Sequence, residues 1–189
     1  PYKNKTFQVY NVQPAASYLE SRSDEFSEWI KVLKYADLFN AVNQATDVFT
    51  VLAPTNDAMY EFYTQKGVSS IEELGQTYAR GLAEYHIMND SIQRDDFVAG
   101  GELPVKTLSG DVLEVSFDES GEGGFNSVYI NKEAHVKEFA ISTANGLVYV
   151  LDDVLSPAIE TVYERLCGHE ENRIFRAAVE LTGWKDELS

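Results

Sequence analysis

From Ala15 to about Val42 apolar residues return at three- and four-residue steps: Phe26, Trp29, Ile30, Leu33, Leu38 and Val42. The stripe is about one helix face wide, and Ser23-Asp24-Glu25 ahead of it supplies a helix start. In "FTVLAPTNDAMYEF" the period shortens to two, with Phe49, Val51 and Ala53 on one side of a predicted strand. Pro54 ends that strand because it has no N–H to give to a ladder. Thr55 or Asn56 then offers an oxygen to the first free amides of a helix, Asp57 lies near the positive end of its dipole, and Ala58, Met59 and Phe62 begin its buried face. Residues 71–88 carry a further helical pattern through Ile71, Leu74, Tyr78, Leu82 and Tyr85.

Beyond Asp96 the alternation is again two. "LPVKTLSGDVLEVSF" predicts two runs around a reversal at Ser109-Gly110-Asp111, residues 120–124 a loop, and "SVYI" a short strand. "HVKEFAISTANGLVYVLDDVL" places Asn145-Gly146 between two strand-like runs, a pair suited to a turn with positive φ. Ser156-Pro157 ends this block, and residues 158–166 read as helical. Helices first and strands afterwards predict an α+β fold with a mostly antiparallel sheet. Residues 1–14, polar and ending in Gln13-Pro14, read as an arm or linker. In the tail, "FRAAVELTGWKDEL" echoes "WIKVLKYADLFNAV" at an offset of 146, pairing Trp29 with Phe175 and Leu33 with Val179. Its two readings are a C-terminal helix packed on the domain and the start of a second repeat.

Composition narrows the partners. The 189 residues carry a formal charge of −16, which disfavours nucleic acid and anionic membrane surfaces, since phosphate binding needs concentrated Lys and Arg. One cysteine, Cys167, excludes an internal disulfide framework, and no apolar run is long enough to span a bilayer. The chain opens on "PYKNKTF" with no targeting segment, as expected of a mature or cloned fragment.

Chemistry is sparse. His86, His135 and His169 show no metal spacing, so neither a metal nor a cofactor is expected. Tyr85 and His86 are the only binding candidates, His86 being read first as a structural histidine. Cys167 has no CxxC partner. The acidic clusters Asp95-Asp96, Asp118-Glu119-Glu122 and Asp152-Asp153 lack calcium-loop spacing. Asp152 stands apart, because it follows "LVYVL" where its carboxylate can accept backbone N–H bonds. No GxSxG, phosphate loop or HExxH is present, so no catalytic residue is assigned.

Three segments in order resemble the fasciclin-like domain family. "FTVLAPTNDAM" is similar to its first signature box, Tyr85-His86 to its central Tyr-His motif, and "NGLVYVLDDVLSP" to its second box. The match runs from about Ala15 to Ile159. The resemblance implies helices packed on a wedge of two β-sheets, with a domain at 15–160 and a second, truncated repeat beginning in 161–189. It makes Pro54, Thr55, Asn56, Asp57, Asn145, Gly146, Asp152 and Pro157 structural motif residues. It also implies a non-enzymatic adhesion module, extracellular or anchored at the cell surface, that binds a protein or glycan ligand there. A carbohydrate- or small-ligand-binding module, stacking exposed Tyr or Trp on its ligand, is the alternative. Leu52 and Met59 replace phenylalanines of the first box while keeping apolar volume, and Tyr149 stands where the second box often has His. Ala140-Ile141 occupies the place of an Asp-Ile pair linked in some animal members to integrin binding, so that property is not implied here.

Overall fold

In the computed structural model, which describes residues 12–118, 127–156, 177–179 and 182, the first helical stripe folds as three helices. They are α1 (Ala15–Ser21), α2 (Ser23–Tyr35) and α3 (Phe39–Val42). The division is local. Arg22 leaves helical geometry at φ −112 and ψ 42. Asp37 ends α2 in the left-handed region at φ 59, with Leu38 N–H bonded back to Leu33 O at 2.9 Å. That pairing closes a helix end, and Asp tolerates the backbone better than bulkier residues. The helix read over 71–88 is likewise two, α5 (Ile71–Leu74) and α6 (Gln76–Tyr85), separated by Gly75 at φ 85. α4 (Asn56–Lys66) begins just beyond the first strand.

Six strands follow the order β2-β1-β6-β5-β4-β3. They are β1 (Phe49–Pro54), β2 (Ile87–Met88), β3 (Val115–Phe117), β4 (Val128–Ile130), β5 (Ala134–Thr143) and β6 (Gly146–Leu151). All pairings are antiparallel except β1 with β6, which run parallel from Phe49↔Gly146 to Pro54↔Leu151. β5 joins the two halves of the sheet. Ala134 and His135 pair with β4, whereas Val136 to Thr143 pair with β6 through two register shifts. Ala140, at φ 52, lies in the second shift, and such a shift bends a strand. The result is an α+β fold on a curled, mostly antiparallel sheet.

The reversal at Ser109–Asp111 is present but is not a regular two-stranded hairpin. Thr107 N–H bonds Asp111 O and Leu103 N–H bonds Leu113 O, with a single bridge between Glu102 and Glu114. The segment then contributes β3 to the sheet and touches β2 through one bridge between Thr107 and Met88.

β1 and β6 form the wall between two cores. On the helical side Val51, Ala53, Val148 and Val150 meet Phe26, Trp29, Leu33 and Phe62. On the other, Leu52, Leu147, Tyr149 and Leu151 meet Met88, Phe97, Val115 and Val136. The alternation in β1 therefore sorts side chains between two buried faces, not between core and water: all six residues of the strand are buried. No helix among the described residues is long and apolar enough to cross a membrane. Pro157, the 120–124 loop, the 158–166 helix, Cys167, His169 and nearly all of 161–189 lie outside the described residues, as do residues 1–11 of the arm.

Candidate functional site

α6 is amphipathic, and its apolar face brings Leu82 and Ala83 against α2 before the chain turns into β2. His86 stands at that corner, fully buried. Its Nδ1 lies 2.8 Å from Leu82 O, and its Nε2 accepts the Leu155 N–H at 3.1 Å. A carbonyl can only accept and an amide can only donate, so the proton sits on Nδ1 and the ring is neutral. The Trp29 ring lies 4.9 Å away, centroid to centroid. Burial pushes the imidazole down to about 4, against the smaller opposing pull of the Leu82 carbonyl. Both ring nitrogens are thus engaged by backbone, leaving no lone pair for a metal or for proton abstraction.

Tyr85 faces the opposite core. Its hydroxyl accepts a bond from Asn131 Nδ2 at 2.9 Å, and burial raises the phenol above its ordinary range. The Tyr85–His86 pair therefore reaches into both cores from one helix end.

The first-box residues gather where β1 meets α4. Pro54 closes β1 opposite Leu151, and Thr55 N–H bonds Leu151 O at 3.1 Å. Thr55 is the helix cap, its Oγ1 accepting Ala58 N–H at 3.3 Å. Asn56 does something that local reasoning does not reveal. Its Oδ1 accepts from Glu28 N–H at 2.9 Å and its Nδ2 donates to Asp24 O at 3.0 Å, which staples α4 to α2. Asp57 is exposed in the first turn of α4.

In the second box, Asn145 is a buried hub. Its Oδ1 accepts from Ala15 N–H at 2.7 Å, and its Nδ2 donates to Val42 O at 2.7 Å and Gln44 O at 2.9 Å. The two-residue turn is Ala144-Asn145, because Thr143 pairs directly with Gly146. Positive φ falls on Gly146 alone, at 135°, already inside β6. What requires glycine there is crowding: a Cβ would stand 1.8 Å from Phe49 O. Asp152 accepts the His135 N–H at 2.9 Å, returns its own N–H to His135 O, and places its second oxygen 3.4 Å from His135 Nδ1.

Motif reading missed three ties. Thr50 is buried in β1, donating to Asp90 O and accepting from Ile92 N–H. Tyr149 gives its hydroxyl to Ile92 O at 2.6 Å. Arg22 clamps both oxygens of Glu138 at 3.1 and 3.2 Å and holds that carboxyl below the usual range. Single-residue signals carry none of these, since each depends on a partner 40 or more positions away.

Surface features are modest. A hollow of about 340 Å³, open to solvent, lies on the outer face of α4 beside Tyr60, Glu61, Thr64 and Gln65, with Tyr60 52% exposed. Val98, Leu108 and Val112 are exposed along the two arms of the 98–113 reversal. Among the described residues no group of three or more His, Cys, Asp or Glu is placed to hold a metal.

The chain is similar to several known proteins. Human periostin is 26% identical over 148 residues, covering 78% of this chain and 16% of that protein. Rabbit (Oryctolagus cuniculus) transforming growth factor-beta-induced protein ig-h3 is 30% identical over 148 residues, covering 75% and 19%. The chain thus spans less than a fifth of the length of these curated relatives. A solved domain pair from the insect cell adhesion molecule fasciclin I aligns at 18% identity and a TM-score of 0.45, over 93% of this chain and 56% of that one. The fasciclin domain model matches residues 24–157, from the start of α2 to the last residue of the second box, and the chain belongs to the fasciclin domain family.

Proposed function

We propose that this chain is a non-enzymatic adhesion or interaction module that works outside the cell and binds a protein or matrix partner through its loops and sheet edges. One observation carries the reading: Tyr85 and His86 of the Tyr-His motif, Thr55 and Asn56 of the first box and Asn145 and Asp152 of the second are all engaged in internal bonds, with Asp57 left exposed. His86 holds Leu82 and Leu155, Asn145 holds Ala15, Val42 and Gln44, and Asn56 holds α2. The residues that mark the family build the scaffold, so recognition falls to the exposed surface. There, Val98, Leu108 and Val112 leave apolar side chains in water along one reversal. A second reading, carbohydrate binding, is favoured by Tyr60 beside its hollow, where an aromatic face can stack on a sugar.

One experiment tests both. The immobilised chain is presented to extracellular-matrix proteins and to a glycan array, beside Val98→Asp/Val112→Asp and Tyr60→Ala variants of unchanged melting temperature. The loop reading expects protein retention to fall at least tenfold in the double variant and to persist in Tyr60→Ala. Loss confined to Tyr60→Ala and competed by free sugar would establish the second reading, and no retention of any kind would remove the adhesion proposal.

A further inference from the structure

His86 is buried, titratable and at a chain exit, and no binding or catalytic role uses it. After β6 the backbone passes through Asp153 and Val154 to Leu155, whose N–H has His86 Nε2 as its acceptor at 3.1 Å. Val154 enters the helical core and Leu155 the opposite one, so this short segment plugs both. Its neighbouring amides are tied to carboxylates: Val154 N–H to Asp153 Oδ1 at 2.7 Å and Ser156 N–H to Glu133 Oε2 at 3.3 Å. We propose that the His86–Leu155 bond is an acid-sensitive latch, which holds Val154–Ser156 against the sheet while the ring is neutral and releases that segment when the ring takes a proton on Nε2.

The chemistry is a donor–acceptor reversal. A proton on Nε2 sets one N–H against another, and the ring cannot turn to escape because Nδ1 already donates to Leu82 O. From α2 the ring meets the Trp29 indole, and from α6 the Tyr85 ring at 6.2 Å, whose phenol burial keeps protonated. Among the described residues no charged group offsets a buried imidazolium; burial and the Leu82 carbonyl are the influences on it. The ring must therefore reach water to be charged, and the shortest route is to let the segment over Nε2 lift. Its proton affinity drops from the ordinary value of 6.5 to about 4 when the latch is closed. By linkage, acidification from pH 7 to pH 5 raises the open-to-closed ratio roughly 20-fold.

Amide hydrogen exchange on the full 189-residue chain tests the latch. After correction for intrinsic rates, the Leu155 amide is expected to lose roughly 20-fold in protection between pH 7 and 5. The Phe49 amide, bonded to Asn145 O in the same sheet, should change less than twofold. Protection at Leu155 that stays flat, or that falls in step with Phe49, overturns the proposal. His86→Gln, whose side-chain oxygen can accept the same N–H without titrating, should abolish the acid response. If that variant keeps the response, Glu133 or Asp153 is the sensor and the latch is wrong. Should His86→Gln fail to fold, the ¹⁵N shift of Nε2 in the unaltered chain decides. Protonation that tracks Leu155 exchange sustains the latch, and protonation without it does not.

Discussion

Asn145 and His86 are both enclosed polar side chains placed where a helix meets the sheet, and each grips backbone from a distant part of the chain. Asn145 holds the start of the domain, through Ala15 N–H, and the end of α3, through Val42 O and Gln44 O. His86 holds the other end, where β6 departs. They differ in one chemical respect. The amide has no proton to gain or lose in ordinary water, so the entry is pinned at every pH. The imidazole does, and its grip lasts only while it is neutral. Two anchors of equal burial thus give the domain one unconditional end and one conditional end.

The sharpest way to break the contrast is to make the unconditional anchor titrate. Asn145→Asp keeps an acceptor for Ala15 N–H but turns a carboxylate oxygen toward Val42 O and Gln44 O. Near pH 7 the loss should be about 4 kcal/mol, the cost of an uncompensated buried charge and two orphaned carbonyls. The repulsion raises the carboxyl's folded-state affinity for a proton above its unfolded value. The deficit is therefore full at neutral pH and shrinks as pH falls through the raised value. Denaturant melts at pH 7 and pH 4.5 check this, and a deficit equal at both would mean that the charge finds relief elsewhere.

The reverse change makes the conditional anchor indifferent to pH. The His86 folded-state value, about 4, lies below its ordinary 6.5, so the unfolded chain binds the extra proton. Its contribution is fully present above about pH 6.5 and lost as pH falls toward 4. The total is roughly 3 kcal/mol if the segment over Nε2 never opens. Many carboxylates titrate nearby, so the quantity to measure is the difference in acid slope between the native chain and His86→Gln. A difference near the full amount describes a rigid anchor. A smaller one, together with Leu155 exchange, measures how readily the exit lifts on its own.

Much of this organisation was legible in the residues. The strand-to-helix junction at Pro54-Thr55 followed from a missing N–H and a capping oxygen, both one-dimensional properties. The α+β order and the place of both boxes were legible for the same reason. Element boundaries were less so: one amphipathic stripe became three helices because Arg22 and Asp37 take backbone angles that periodicity cannot report. Asn145-Gly146 looked like a turn pair, yet the amide is a hub and the glycine makes room for Phe49 O. The parallel pairing of β1 with β6 sets both demands, and it joins segments nearly a hundred residues apart. Nothing local announces a contact of that range. The same holds for His86, whose partner Leu155 lies 69 positions away.

Thr55 extends the contrast to a third junction and supplies its smallest expected effect. Asn145 engages three backbone groups through its side chain, His86 two, and Thr55 one, the Ala58 N–H at 3.3 Å. If the worth of these junctions follows the number of backbone groups each satisfies, Thr55→Ala should cost about 1 kcal/mol, the usual value of a helix cap. Thr55→Ser, which keeps the oxygen, should recover most of it. Neither side chain titrates, so the loss should be the same at pH 7 and pH 5, as for Asn145→Ala and unlike His86. A cost well above 2 kcal/mol that serine does not restore would place Thr55's value in its buried methyl, packed at the end of the β1–β6 wall. The ranking would then belong to packing, and backbone satisfaction would distinguish only Asn145 and His86.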